Sequence, residues 1–400
     1  MTGLRIAMVV PDFPRVGGYE RQAMGLCTEL LRQGNHPYLV TNARPGKSYP
    51  AMQDGLELVV LTERPRFRQH PFLFMRAFLH HLKTRQVDCV HAHAMAPFSS
   101  AAIMAAQSLS IPTILKLAGI GDKQAFWASS DLNFRMARRG PKVASHTVAL
   151  CEAMDDVAMS FGAPKERILR MPNGVDTANF QTTHEQDVTA LRVSLGLGAG
   201  ERVLLYVGRL STEKGLQTLF DSVLPLLKKD PSLRLCLVGD GPMGNGLREE
   251  AQSKGLEDSV IFAGFQKETR AYYAMADLFV LPSYEEGMSN ALLEAMASGL
   301  AVVATDVGAA REMLGEEYVL ASPGESEELR TQIEHRLAKL SKGESEGALL
   351  QRRCEELFSM QAVAQRYASL YGELVSEPKP SALPSAVQAA GHAIAALWSR

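Results

Sequence analysis

Two carboxylates and two cations stand where strand-like runs end and helix-like runs begin, a placement that suits holding a charged, extended ligand. Glu286 lies in Tyr284-Glu285-Glu286-Gly287-Met288-Ser289-Asn290, after the strand-like run 277–281 closed by Pro282 and Ser283. Glu294 follows eight residues later in an Ala/Leu/Met run rich in helix formers. If both are helical, a rise of ~1.5 Å per residue separates them by on the order of 12 Å. That span fits an extended ligand better than a shared proton. Between the two acids, residues 287–290 would offer unpaired N–H groups at a helix N-terminus, where a phosphate is favoured. A plain cap at Ser289 or Asn290, with Glu286 as a first-turn acid, accounts for the same residues. Arg209 and Lys214 share one loop, 208–215, between the strand-like run 203–207 and the helical pattern 216–228. Such a pair supplies the charge and forked donors that a diphosphate needs, although surface cations are common.

Other groups carry weaker signals. Gly17-Gly18 sits between the apolar run 4–10 and a helical pattern at 21–33 that stops at Gly34, and paired glycines let backbone approach a ligand or simply make a tight turn. His91 and His93 end the strand-like run 87–91, where they are equally readable as catalytic or as structural residues. Gly239-Asp240-Gly241-Pro242-Met243-Gly244 matches the dinucleotide fingerprint literally. The following strand, 260–263, however, runs into Gly264-Phe265-Gln266 and lacks the acid that would hold a ribose. An oxidoreductase reading loses its anchor there, and Phe265 is instead placed to stack or edge a base. Residues 64–86 carry six Lys or Arg and four Phe with no acid. The stretch reads either as a face for an anionic membrane surface or as a sheet-packed helix with a solvated basic side.

The elements that must position these groups alternate. Strand-like runs at 4–10, 36–41, 56–61, 87–91, 113–117 and 144–150, then again at 203–207, 233–238, 260–263, 277–281, 301–305 and 318–320, are separated by helical patterns. This favours an α/β chain with doubly wound, mostly parallel sheets. Four hundred residues exceed one ordinary core. The division expected is an N-terminal domain 1–178, a C-terminal domain 179–360, a helix 361–377 returning to the first domain, and a tail 378–400. The polar interval 181–202 reads as the connection. With 46% hydrophobic and 22% charged residues and net charge −2, the composition is that of a soluble globular protein and argues against a nucleic-acid partner. No apolar run approaches the ~20 residues that span a bilayer, and the opening run reads as a short strand rather than a signal peptide. Five widely spaced cysteines, none in CxxC pairs, read as buried thiols of a reducing cytoplasm, with no metal site implied.

Taken in order, Gly17-Gly18, Pro172-Asn173-Gly174-Val175-Asp176, Gly208-Arg209-Leu210 with Glu213-Lys214-Gly215, Gly239-Asp240-Gly241-Pro242, and Glu286 with Glu294 resemble the retaining glycosyltransferases of family four, across roughly residues 4–375. The resemblance implies the GT-B fold, two Rossmann-like domains facing across a cleft, with a nucleoside-diphosphate sugar held mainly by the second. It implies that Arg209 and Lys214 hold the diphosphate, helped by the Gly17-Gly18 backbone and the amides of Gly287, Met288, Ser289 and Asn290. Glu294 would bond the ribose and Glu286 the transferred sugar. No metal or other cofactor is implied, because two cations and a helix terminus neutralise the leaving diphosphate. The acceptor implied is a glycan or a lipid-linked glycan of bacterial cell-surface polysaccharide, lipopolysaccharide or exopolysaccharide synthesis, with the enzyme cytoplasmic or peripheral on the membrane's inner face. A UDP- or GDP-sugar is the expected donor. Retention follows in the family from same-face attack, the departing phosphate taking the acceptor's proton. Double displacement would need a carboxylate at the anomeric carbon, and Glu286 is the one acid suited to it. The family's usual histidine after the strand 113–117 is replaced here by Ala118-Gly119-Ile120-Gly121, which leaves Lys116 or His93 to take its part. A same-fold epimerase or phosphorylase, or a non-catalytic nucleotide-sugar-binding subunit, is the alternative.

Overall fold

The continuous apolar strands of the sequence form two buried parallel sheets, each in its own unit. The computed structural model describes residues 3–11, 13, 17–43, 49, 51–53, 55–61, 70–119 and 132–377. One unit comprises Met1–Gly174 with Met360–Arg400, the other Val175–Ser359.

In the first unit the strands are β1 (Arg5–Val9), β2 (His36–Asn42), β3 (Met52–Gln53), β4 (Leu56–Leu61), β5 (Cys89–His93), β6 (Thr113–Lys116), β7 (His146–Ala149) and β8 (Ile168–Arg170). Their order is β3-β4-β2-β1-β5-β6-β7-β8, all pairs being parallel except the two-residue edge strand β3. Successive residues of β1 alternate between two cores: Ile6 and Met8 in one, Ala7 and Val9 in the other. This is the period of two that a doubly covered strand demands. The first core is closed by the helices Gly18–Arg32 and Met360–Ser376, the second by Pro71–Thr84 and Pro97–Gln107. The C-terminal helix buries Val363, Ala364, Tyr367, Leu370, Tyr371 and Leu374. Burial of Val363, Leu370 and Leu374 stabilises the fold by about 1.5–3 kcal/mol each. The Pro-Asn-Gly turn before Val175 is held by the Gln22 amide, which donates to the Gly174 carbonyl (2.8 Å) and accepts from the Gly174 N–H (2.9 Å).

In the second unit β9 (Arg202–Val207), β10 (Leu233–Val238), β11 (Val260–Gly264), β12 (Leu278–Leu281) and β13 (Ala301–Ala304) run parallel in the order β11-β10-β9-β12-β13. The helix Leu216–Lys229 packs Leu216, Leu219, Phe220 and Val223 into the core.

Two expectations change, and two elements are added. The interval 181–202 is not a bare connection: it carries the helix Glu185–Ser194, which packs on the helix Arg270–Met275, and its Arg192 donates to the Met275 carbonyl (3.2 Å). Residues 318–320 form no strand; only a bridge between Thr305 and Ala321 closes that edge, because Val319 points to solvent while the Tyr318 hydroxyl bonds the Val302 carbonyl (2.7 Å). The helix Gly347–Phe358 and the short strand β8 were absent from the sequence reading. All five cysteines are buried free thiols, as expected. Among the described residues no helix is long and apolar enough to cross a membrane. The tail 378–400 lies outside the described residues.

Candidate functional site

In the second sheet the chain moves outward from β9 through β10 to β11, then returns to lay β12 and β13 on the other side of β9. The switch point is therefore between β9 and β12, and open α/β sheets bind ligands at the carboxyl ends of the strands there. The loop leaving β9 carries Arg209 and Lys214; the loop leaving β12 carries Glu286, Gly287, Met288 and Ser289.

Backbone contacts lock these loops together. The Tyr284 and Glu285 N–H groups both donate to the Glu213 carbonyl, at 2.9 and 3.4 Å. Gly215 has φ +65°, and a Cβ there would lie 1.8 Å from the Pro282 carbonyl oxygen, so only glycine lets the two loops approach this closely. The side chains follow. The Lys214 ammonium donates to Glu286 Oε1 at 2.7 Å, and the Ser283 hydroxyl donates to the same oxygen at 2.9 Å. The pair is only 24% and 11% exposed, so its attraction is screened less than at an open surface. Glu213 accepts from the Ser211 hydroxyl, which holds its carboxyl below the usual range, with Lys214 and Arg209 adding to the effect. Tyr206, the penultimate residue of β9, donates to the Arg209 carbonyl (2.9 Å); burial, and then the charges of Glu286 and Glu213, push its hydroxyl pKa up. The Arg209 side chain itself is exposed.

Two further loops close from the sides. A Cβ at Gly308, φ +54°, would sit 2.3 Å from the Glu286 carbonyl oxygen, and Ala309 N–H donates to the Gly287 carbonyl at 2.8 Å. The glycines of the literal dinucleotide match serve packing. A Cβ at Gly239 would meet the Gly208 carbonyl at 1.8 Å, and one at Gly241 the Leu210 carbonyl at 2.3 Å. They let the 239–243 turn press against the loop bearing Arg209.

Ser289 caps the helix Asn290–Ala297, its hydroxyl accepting from Leu292 N–H at 3.3 Å, and Met288 is buried beside it. The simple cap is thus present, and Glu286 precedes the helix instead of lying on it, so the wholly helical spacing to Glu294 does not apply. Glu294 is half-buried within the helix, with Thr269 Oγ1 3.5 Å from its Oε2. Phe265, after β11, is 66% exposed. Arg209, Lys214, Glu286, Gly287, Met288, Ser289, Asn290 and Glu294 therefore share one end of one sheet. Ser283, Tyr206 and Gly308 escaped the sequence reading. A strand tyrosine and a serine after a strand have no pattern of their own, and Gly308 is one glycine among 32.

Gly17, Gly18 and His93 belong to the first unit. Gly17, extended at φ −115°, precedes the helix that Gly18 opens, and a Cβ there would crowd the Glu20 carboxylate at 2.5 Å. His93 is the last residue of β5, inside the strand, buried and stacked on His91 with ring centres 4.3 Å apart. Burial, and then the Lys116 charge, lower its pKa to about 3. It is a neutral base at any ordinary pH. In the stretch 64–86, residues 64–69 lie outside the described residues. Phe74 and Phe78 are buried in the core, while Arg76, His80 and Lys83 are exposed on the helix Pro71–Thr84.

The sequence matches two family descriptions: "Glycosyltransferase Family 4" over residues 16–179 and "Glycosyl transferases group 1" over residues 201–339. Among curated proteins, it is 28% identical over 306 residues to the alpha-monoglucosyldiacylglycerol synthase of Streptococcus pneumoniae, covering 73% of this chain and 68% of that one. It is 23% identical over 385 residues to the N-acetyl-alpha-D-glucosaminyl L-malate synthase of Bacillus anthracis, covering 94% and 99%. Among solved structures, Anabaena Alr3699/HepE in complex with UDP superposes with a TM-score of 0.77 at 23% identity, over 92% of this chain and 100% of that one. The same protein has been solved with UDP-glucose.

Proposed function

Because this chain belongs to the family-four (group 1) glycosyltransferases, we propose that it transfers a hexose-type sugar from a nucleoside-diphosphate donor, with retention of configuration, to a glycan or lipid-linked acceptor. What supports the reading is the meeting of Arg209, Lys214 and Glu286 at the switch point of the second sheet, with Lys214 bonded to Glu286 at 2.7 Å. As the sugar–phosphate bond breaks, negative charge collects on the leaving diphosphate and positive charge on the anomeric carbon. Stabilising the leaving group is the largest task. Lys214 and Arg209 meet it with two cations, and the Gly287 turn with backbone donors. Glu286, held by Lys214 and Ser283, orients sugar hydroxyls, Glu294 bonds the ribose and Phe265 flanks the base. In this reading the charge balance at the diphosphate needs no divalent ion, so turnover should persist in a chelator. A UDP- or GDP-sugar is the donor proposed, with His93 or Lys116 serving the acceptor side in the other unit.

The test is a thermal-shift and turnover screen over UDP-, GDP- and ADP-sugars, followed by NMR of the product's anomeric coupling. Inverted product would overturn retention. No stabilisation and no hydrolysis with any of the donors would overturn the donor assignment. Peripheral contact with an anionic membrane through 64–86 is part of the proposal. Its described portion offers the exposed Arg76, His80 and Lys83 but not Phe74 or Phe78, so binding to anionic liposomes should be electrostatic and vanish at high salt.

A further inference from the structure

The apolar face of the first sheet that the helices Gly18–Arg32 and Met360–Ser376 cover contains a polar knot made by His91, His93, Lys116, Tyr367 and Tyr371. His91 and His93 project from the same side of β5, and Lys116 is His93's register partner on β6. One contact is complete: His91 Nδ1 lies 2.7 Å from the Tyr371 hydroxyl. By contrast, among the described residues His91 Nε2, both ring nitrogens of His93 and the Tyr367 hydroxyl are buried without a hydrogen-bond partner. The Lys116 ammonium stands 5.8 Å from the centre of the Tyr367 ring, and among the described residues no carboxylate pairs with it. Burying an ammonium without a counter-charge, beside orphaned donors, costs free energy that an apolar replacement would not. The knot lies at the carboxyl ends of β5 and β6. It adjoins the first sheet's own switch point, between β1 and β5, where a ligand is expected to enter.

We infer that His93, Lys116 and Tyr367 form a binding site for a phosphate group in the first unit. A tetrahedral oxyanion accepts hydrogen bonds from several directions and supplies the charge that the buried ammonium lacks. Filling the site satisfies the Tyr367 hydroxyl, an imidazole N–H and Lys116 together. Burial draws the Lys116 pKa down to about 7, so the ammonium is half charged near neutrality and binding an anion restores the proton. Of the other titratable groups on this face, His91 and His93 on β5 and Tyr367 and Tyr371 on the C-terminal helix stay neutral there, as do the buried thiols of Cys27 and Cys89, while the covering helix Gly18–Arg32 buries the Glu20 carboxylate in its first turn. The inference does not depend on the donor assignment in the other unit.

The experiment is calorimetric titration of the full chain with inorganic phosphate in a Lys214→Ala background, which removes the cation most suited to compete for it. Saturable binding is expected. Lys116→Met should weaken it by about tenfold or more, since a charge-assisted bond is lost. Tyr367→Phe should weaken it severalfold while leaving or raising the melting temperature of the phosphate-free protein. Sulfate, fully ionised throughout, should bind more tightly at pH 6 than at pH 8 in the Lys214→Ala background and lose that dependence in Lys214→Ala/Lys116→Met. Tighter binding of butyl phosphate than of phosphate would identify the head of a larger molecule as the ligand; the reverse would identify the free ion. No saturable binding, or unchanged affinity in both Lys116→Met and Tyr367→Phe, overturns the site. UDP titration of the wild type and of Lys116→Met runs in parallel: loss of UDP binding in both would refute the donor reading while leaving the phosphate result to stand alone.

Discussion

Lys214→Met removes the ammonium that sits 2.7 Å from Glu286 and keeps most of the side chain's length. At an effective dielectric of about 20, a unit charge 4 Å from a phosphate oxygen is worth ~4 kcal/mol. Part of that is already present when the donor is bound, and part is returned when Lys214 loosens its bond to Glu286. A net loss of about 2–3 kcal/mol of transition-state stabilisation remains, which corresponds to roughly 30- to 200-fold in kcat/KM. The fold should hardly notice. The lysine is a quarter exposed, and Glu286 keeps its Ser283 hydrogen bond, so the stability cost is about 1 kcal/mol and the melting temperature falls by about 2–4 °C. The assay is release of nucleoside diphosphate from the donor found in the sugar screen, with circular dichroism as the control for folding. A folded variant within about threefold of wild type in kcat/KM would refute the assignment of Lys214 to the leaving group.

Gly215→Ala combines a positive φ with a 1.8 Å approach to the Pro282 carbonyl, so it should cost about 2–3 kcal/mol and lower activity as well, read by urea denaturation and turnover. His93 binds fewer protons folded than unfolded between pH 6.5 and about 3, so stability should fall on acidification through that window; His93→Gln should flatten that segment of a melting-temperature profile. Lys116, lowered from 10.5 to about 7, has the same sign in a higher window. The stability advantage of Lys116→Met over wild type should grow as pH falls from 10 to 7 and then level off. Phe265→Ala removes a ring that is two-thirds exposed, so the melting temperature should stay unchanged while donor KM rises by about 5- to 150-fold, the roughly 1–3 kcal/mol of stacking on the base.

Much of the second unit was legible because its strands are continuous apolar runs and its charged residues fall in the loops immediately after them. The run 203–207 and the helix from Leu216 bracket Arg209 and Lys214 without ambiguity, and the structure keeps both on one loop. What the sequence concealed is contact between loops far apart in the chain. Nothing local announces that Glu213 offers its carbonyl to Tyr284 and Glu285, or that Gly308 lies against Glu286. The literal G-x-G-x-x-G misleads for the same reason: its glycines answer to the neighbouring loop, a partner that no spacing rule contains. In the first unit the alternation placed β1, β2, β4, β5, β6 and β7, but the edge strands β3 and β8 were invisible, and of the polar knot only His91, His93 and Lys116 stood out. The knot takes its tyrosines from a helix that lies up to 280 residues beyond the strands that hold its histidines and lysine. The region 318–320 was misread because three apolar or aromatic residues in a row resemble a strand, whereas each there has a different environment.

The four glycines whose absent Cβ atoms admit a carbonyl at 1.8–2.3 Å, at 215, 239, 241 and 308, mean that main chain rather than side chain frames the carboxyl end of the second sheet. A frame built this way is indifferent to what projects from it. The side chains of Arg209, Phe265 and Glu285 all point outward, and among the described residues these residues brace the loops only through their main chain. In the function proposed here, donor preference can therefore drift by substitution at the rim while the proposed diphosphate seat stays fixed. A combinatorial library restricted to positions 209, 265, 266 and 285 should yield mostly folded proteins, whereas one that includes the four glycines should yield few.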